Sequence, residues 1–221
     1  MRRTLGAVLA ALALATAGPA ASADDRASTP VVFVHGYSGA AWNWNTARDV
    51  FREAGYGDAE LFSFEYNSHQ SNERSAAELA AFVDRVLAET GADEVDIVNH
   101  SMGGLVSRWY IKELGGVEEV GHWTSLAGAN HGTRTANLCQ AYPSCREMLP
   151  GSAFVERLNS GDETPGDVEY TTWYSPADGV IVPYTSTAVE GARNNEVPGV
   201  SHLAFLSDTG ILRQVAAGLA G

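Results

Sequence analysis

Short apolar runs alternate with amphipathic stretches along most of the chain. Short apolar runs predict strands at residues 31–34, 61–66, 95–98, 123–126 and 168–174, and a weaker pattern predicts a sixth strand at residues 192–197. Helical patterns lie between or after them, at residues 45–54, 72–91 and 103–114, and again beyond Asp208. Strands that alternate with helices predict an α/β fold, in which a mostly parallel sheet carries helices on both faces.

One long stretch breaks this alternation. Residues 130–167 are rich in Gly, Pro, Ser, Asn and Asp, and they contain both cysteines of the chain. We expect an irregular excursion from the sheet within the same domain, not a second domain. Three apolar residues in it have helical spacing and predict a small flap at most: Phe154, Val155 and Leu158.

The first residues have the pattern of a secretory signal peptide. Arg2 and Arg3 precede an apolar run over residues 5–17, and the Ala-Ser-Ala of residues 21–23 fits the cleavage rule. The alternative is a membrane anchor, but the run is short for a bilayer. We therefore expect residues 1–23 to be removed and residues 24–221 to form one secreted domain.

Composition narrows the class of protein. The chain has 221 residues, and its 45% hydrophobic content is typical of a folded globular domain. Its net charge of −13 argues against nucleic acid as a partner, because nucleic acids attract basic surfaces. Two cysteines are too few for a disulfide-rich scaffold. In an exported chain we expect them to pair, Cys139 with Cys145.

The most informative motif is V-D-I-V-N-H-S-M-G-G at residues 95–104. A buried strand leads directly to Ser101, and a helix with small residues follows, which is the context of a nucleophile elbow. Gly103 meets the demand for a small residue, whereas Asn99 occupies a position where such motifs commonly have glycine. The alternative is an ordinary helix-capping serine.

A nucleophilic serine needs a histidine base, which in turn needs an acid to fix its tautomer. In α/β-hydrolases the chain order is serine, acid, histidine. His202 lies in a loop before the final helix, and Asp178 follows the strand that ends at residue 174. We therefore expect Ser101, Asp178 and His202 to act together.

Other histidines and acids leave alternatives open. His122 begins a predicted strand, where a structural role is expected, and His131 precedes every plausible acid. Asp162 and Asp167 lie in the irregular stretch, where solvated carboxylates are common. Asp208 has the pattern of a helix cap.

An oxyanion hole requires two backbone N–H groups beside the nucleophile. The N–H of Met102, directly after the serine, is one candidate, and that of Tyr37 in the loop after the first strand is the other. Trp42 and Trp44 follow in the same loop and are candidates for lining an acyl groove. The alternative is that both tryptophans only pack in the core.

Four stretches of this sequence resemble the class 2 family of secreted bacterial lipases. They are V-V-F-V-H-G-Y-S-G, V-D-I-V-N-H-S-M-G-G, Y-S-P-A-D, and G-A-R-N with the later G-V-S-H-L. The resemblance implies a compact α/β-hydrolase fold with little or no lid. It also implies a Ser101–Asp178–His202 triad, oxyanion donors at Tyr37 and Met102, and hydrolysis of carboxylic esters, including triacylglycerols, without a cofactor.

These residues leave two rival functions open. One is an amidase or peptidase that uses the same triad, and the other is a catalytically dead hydrolase fold that serves as a binding module. The acidic run 161–167 suggests calcium, but it lacks the ligand spacing of an EF-hand, so we expect no metal. The expected partner is a small ester or lipid substrate, bound by a monomer that does not insert into membranes.

Overall fold

All strands in the described part of the chain, residues 29–220 of a computed structural model, pair in parallel within one sheet. The signal-peptide prediction for residues 1–23 lies outside the described residues. The strands are β1 (Val31–Val34), β2 (Leu61–Phe64), β3 (Val95–His100), β4 (Val120–Leu126), β5 (Glu169–Tyr174) and β6 (Arg193–Glu196). Their order across the sheet is β2-β1-β3-β4-β5-β6.

Helices cover both faces of this sheet. They are α1 (Asn45–Glu53), α2 (Asn72–Thr90), α3 (Gly103–Glu113), α4 (Pro143–Glu147), α5 (Ala153–Leu158) and α6 (Thr209–Leu219). Helices α2 and α3 enclose one apolar core, and α1 and α6 enclose the other. The predicted α/β fold, with a parallel sheet between helices, is confirmed. Among the described helices, none has the length and apolar character needed to cross a bilayer.

Strand β3 continues two residues beyond the predicted end at residue 98. Asn99 and His100 pair with β4 in register, opposite Ser125 and Leu126. Both polar side chains are buried, yet each is hydrogen-bonded: the Asn99 amide donates to the carbonyl of Thr124 and accepts from the Ser125 hydroxyl. The apolar pattern stops at residue 98 because these positions are satisfied by polar partners instead of by apolar packing.

The excursion over residues 130–167 is more regular than expected. It contains α4 and α5, and the apolar residues of α5 are buried rather than presented as a flap. Phe154 stacks on Trp109 of α3 at a ring distance of 4.5 Å. The helical spacing of these three residues is confirmed, and they form no flap because they are buried against the core. Cys139 and Cys145 are bonded to each other, as predicted.

Candidate active site

Ser101 lies at the sharp turn between β3 and α3. Its φ of +58° is in the left-handed region, which costs an ordinary residue about 1–2 kcal/mol. The turn is fixed by hydrogen bonds on both sides of the residue. The Ser101 N–H donates to the carbonyl of Leu126, and its own carbonyl accepts from the N–H groups of Gly104 and Ala129. The hydroxyl is thereby held at the carboxyl edge of the sheet, where open α/β folds bind ligands.

Two glycines allow the neighbouring backbone to approach this turn. A Cβ on Gly103 would lie 2.5 Å from the carbonyl oxygen of Val34, and one on Gly36 would lie 2.7 Å from Cβ of Ser101. Both distances are far below van der Waals contact, so any side chain at either position would push β1 and its loop away from the serine. The close fit explains the glycine in each of the two motifs.

The structure brings Ser101, His202 and Asp178 into one hydrogen-bonded series. Nε2 of His202 lies 2.9 Å from Oγ of Ser101, and Nδ1 lies 2.9 Å from Oδ2 of Asp178. The other carboxylate oxygen, Oδ1 of Asp178, accepts from the N–H groups of Val180 at 2.8 Å and Ile181 at 2.6 Å. All three side chains are buried or nearly so.

The environment of Asp178 favours its charged form. Burial pushes the pKa of this carboxyl up, but the hydrogen bond and positive charge of His202 and the two backbone N–H groups outweigh burial. The net pKa of Asp178 is lower than its ordinary value, so the group is a carboxylate at neutral pH. A carboxylate only accepts, and Nδ1 of His202 must therefore carry the proton. Nε2 is left free to accept a proton from Ser101.

His100 supports the loop that carries His202. Its Nε2 lies 2.9 Å from the backbone carbonyl oxygen of His202, and the two rings are 4.5 Å apart. Burial, together with the nearby His202, lowers the pKa of His100 to about 3. It is therefore neutral, and it donates from Nε2 because a carbonyl oxygen can only accept. His100 directly precedes Ser101 in the motif, but the sequence pattern alone predicts no role for it.

The peptide groups before Tyr37 and Met102 are each held through their carbonyl oxygens. Gly36 O accepts from the N–H of Gly39 at 3.0 Å and from Nδ1 of His35 at 2.9 Å. Ser101 O is bound in the same double manner. Because a trans peptide is planar, the N–H on its far side points the opposite way. Within residues 29–220, no backbone carbonyl accepts from the N–H of Tyr37 or Met102.

A cavity of about 230 Å³ opens beside Ser101. Its apolar wall is formed by Tyr37, Trp42, Leu203 and Leu206. Trp42 and Leu203 are each 69% exposed, so apolar surface is already presented at the mouth. Leu203 and Leu206 were not anticipated from the sequence, although both follow the histidine of the G-V-S-H-L stretch.

Trp44 does not line this cavity. It is fully buried, and its ring lies 5.2 Å from that of Phe33 in the core under α1. Both tryptophans belong to one tight 3₁₀ turn, Ala41–Trp44, which directs one outward and the other inward. The prediction that Trp44 lines an acyl groove was therefore wrong.

The other sequence candidates are engaged elsewhere. His122 is hydrogen-bonded to the buried Asp96 at 2.8 Å, and His131 to Glu163 at 2.9 Å. Asp208 accepts from two N–H groups at the start of α6, as a helix cap does. None of these three contacts reaches Ser101, Asp178 or His202.

The acidic run 161–167 forms a turn in which Oδ1 of Asp162 accepts from the N–H of Thr164. Across the described residues, no group of three His, Cys, Asp or Glu side chains is arranged to hold a metal ion. Two larger cavities, of about 640 and 880 Å³, lie away from the hydrogen-bonded series. Neither is lined by Ser101, Asp178 or His202, so we place the candidate chemistry at the smaller cavity.

The chain matches one protein family over most of its length. The profile of the Lipase (class 2) family matches residues 28–215. A triacylglycerol lipase of Burkholderia plantarii is 32% identical over 111 residues, which are 45% of this chain and 30% of that protein. A triacylglycerol lipase of Vibrio cholerae is 28% identical over 136 residues, or 60% and 40% of the two chains. The chain thus spans well under half the length of these curated relatives.

Solved structures share the fold. The mature form of Bacillus licheniformis lipase BlEst2 superposes with a TM-score of 0.78 at 17% identity, covering 92% of this chain and 97% of that one. Aspergillus fumigatus lipase B gives a TM-score of 0.75 at 19% identity, covering 92% and 55%. At such low identity the likeness is one of fold.

Proposed function

Because the chain belongs to the class 2 lipase family, we propose that it is a carboxylic-ester hydrolase that cleaves acylglycerols and other lipid-like esters. The observation that carries this proposal is the hydrogen-bonded series from Ser101 through His202 to Asp178. A serine in this series, at a strained turn and beside a cavity with one apolar wall, has the groups that acyl transfer requires.

In the proposed mechanism, Oγ of Ser101 attacks the ester carbonyl while Nε2 of His202 takes its proton. The same proton then passes from His202 to the leaving alcohol oxygen as the bond to the acyl carbon breaks. Asp178 keeps His202 in the required tautomer and stabilises its cation. Water, deprotonated by His202, finally attacks the acyl-enzyme and releases the acid and Ser101.

The oxyanion of each tetrahedral intermediate is bound by the backbone N–H groups of Tyr37 and Met102. Their orientation is supported by the two doubly bound carbonyls, Gly36 O and Ser101 O. Donors fixed before the reaction need no reorganisation as charge develops, and one such donor is worth about 10²–10³ in kcat. His35 is in this view a positioning residue for the Tyr37 N–H.

The acyl chain lies in the cavity along Trp42, Leu203 and Leu206. We expect the mature enzyme, residues 24–221, to be a single secreted domain that acts as a monomer without metal or cofactor. The bonded Cys139–Cys145 pair supports an oxidising compartment, since such bonds persist mainly outside the cytosol.

The proposal is tested with p-nitrophenyl esters and tributyrin taken from dilute solution through the solubility limit. We expect ready cleavage of dissolved short- and medium-chain esters, with less than about a threefold rise in rate when the emulsion forms. The reason is that Trp42 and Leu203 are already exposed and α5 is docked on α3, so no apolar surface has to be uncovered.

A matching anilide series shows whether amides are hydrolysed instead. Negligible activity on dissolved ester, followed by a rise of more than about tenfold at the emulsion boundary, would contradict an open site. Faster cleavage of the anilides than of the esters would replace the ester-hydrolase proposal by an amidase.

A further inference from the structure

We infer that residues 139–147, the disulfide-closed turn and α4, act as a brace that positions the oxyanion loop, residues 36–39. The inference rests on the proposed function, because the loop matters for catalysis only if the Tyr37 N–H binds the oxyanion. It gives the excursion a role other than that of a lid. Ser144 and Tyr142 are the positioning residues of this brace.

The oxyanion loop has one internal backbone hydrogen bond, from the Gly39 N–H to the Gly36 carbonyl, and further contacts hold it from outside. Ser38 has a φ of +55°, a left-handed conformation that a residue with a side chain keeps only when its surroundings impose it. The constraint comes from the turn after β2, which contains Ser68 and His69. The N–H of Ser38 donates to Oγ of Ser68 at 2.9 Å, and the Ser38 hydroxyl lies 3.5 Å from Nε2 of His69.

Helix α4 holds the turn after β2. Oγ of Ser144 donates to the carbonyl oxygen of Ser68 at 2.8 Å, and both serines are almost completely buried. Asn72 at the start of α2 fixes α4 from the other side, since its side chain donates to the carbonyl of Ser144 and to Glu147. Two successive hydrogen bonds therefore connect α4 with the residue next to Tyr37.

An aromatic contact runs parallel to these hydrogen bonds. The ring of Tyr142 lies 4.3 Å from that of His69 and 6.2 Å from that of Tyr37, and His69 lies 5.1 Å from Tyr37. The Cys139–Cys145 bond closes the short turn that carries Tyr142. The brace therefore acts on the Ser38 backbone indirectly, through Ser68, and contacts the Tyr37 ring directly through Tyr142.

A loosened brace affects the transition state more than the bound ester. The developing oxyanion needs its donors in place, whereas the ground-state carbonyl depends on them much less. A displacement of about 1 Å at a catalytic group is able to cost about 10² in rate. Loss of the brace is therefore expected to lower kcat while KM stays nearly constant.

The test compares Ser144→Ala and Tyr142→Ala with Thr90→Ala in the full-length protein. Thr90 lies in the last turn of α2, where its hydroxyl donates to the carbonyl of Val86 and accepts from the N–H of Ala92, neither of which belongs to the brace or the oxyanion loop, so it controls for general destabilisation. We expect kcat on p-nitrophenyl butyrate to fall about tenfold in the two brace variants, with KM within twofold. Thr90→Ala is expected to lower the melting temperature with kcat unchanged.

Two further measurements sharpen the comparison. Tyr142→Phe keeps the ring and is expected to restore kcat to within twofold of wild type. A phenylboronic acid, which binds as a tetrahedral transition-state analogue, is expected to lose about the same factor in affinity as kcat loses. If Ser144→Ala does not fold, Tyr142→Ala decides alone, because its side chain is 43% exposed and contributes little to the core.

The inference is overturned if both brace variants melt earlier than wild type, as expected of Thr90→Ala, yet keep wild-type kcat and boronate affinity. It is also overturned if KM alone changes. Failure of the proposed function gives a different result, since the wild type itself would then hydrolyse no ester in the same assay.

Discussion

Ser101→Ala is expected to lower kcat for ester hydrolysis by about 10⁴-fold or more while the protein stays folded. The substitution removes only the hydroxyl, so the left-handed turn and its three backbone hydrogen bonds remain. In serine hydrolases with this arrangement, loss of the nucleophile costs about 10⁶ in kcat, and the residual rate comes from binding and the oxyanion donors. Steady-state rates on p-nitrophenyl butyrate and a thermal melt measure the two expectations together.

Ser207→Ala is the matched control for this variant. Ser207 is exposed and lies in the segment that follows His202, and among residues 29–220 its hydroxyl is hydrogen-bonded only to the carbonyl of Ala204. We expect wild-type kcat from it. Activity near that of wild type in a pure, folded Ser101→Ala sample would contradict the mechanism, because no other described side chain is hydrogen-bonded to Nε2 of His202.

Asp178→Asn is expected to lower kcat by about 10⁴-fold. The new amide keeps its oxygen on the N–H groups of Val180 and Ile181, which places its NH₂ group toward Nδ1 of His202. Nδ1 then has to accept, so the ring proton moves to Nε2. Nε2 is then unable to take the proton of Ser101. The shape of the site stays the same, but the ring proton of His202 lies on Nε2 instead of Nδ1.

Asp208→Asn controls for the loss of a carboxylate. Asp208 caps α6, a role in which asparagine is about as good as aspartate, so stability and kcat are both expected to stay close to wild type. A loss of less than about 100-fold in Asp178→Asn, in a protein that melts like wild type, would show that Asp178 does not set the tautomer of His202.

The fold follows from patterns that are local in the sequence. Each predicted strand and long helix exists. Strand β1 is apolar throughout because it is buried, and α2 presents a continuous apolar face, whereas the edge strand β6 is polar and largely exposed. The end of a strand is harder to predict where buried polar side chains are hydrogen-bonded to distant segments, as at Asn99 and His100 of β3. The short helix α5 depends on its contact with Trp109, which no local pattern encodes.

The candidate site divides in the same way. Chain order and the position of strand ends were sufficient to single out Ser101, Asp178 and His202, which lie far apart in sequence but at one edge of the sheet. The supporting contacts of His100, His35 and Ser144 were not found, because each joins segments whose proximity only the folded chain reveals. For His100 and His35, the sequence gives one indication, which is that each histidine lies next to a residue of a motif.

The two tryptophans after the first strand show where the sequence is ambiguous about aromatic residues. Trp42 and Trp44 are two positions apart in a loop, and the sequence does not distinguish which of them lines a groove. Their different environments, one 69% exposed and one fully buried, arise from the single 3₁₀ turn that contains both. The turn itself has no distinctive sequence pattern.

The most direct measurement of the central claim is covalent labelling by a fluorophosphonate, followed by peptide mass spectrometry. The reagent reacts with a serine that has a working base and oxyanion donors. We expect the folded protein to gain one adduct per chain, located on the peptide that contains Ser101. We expect none in Ser101→Ala or in protein unfolded before exposure. An adduct on another residue, or no adduct on folded wild-type protein, would contradict the assignment of Ser101 as the nucleophile of a serine hydrolase.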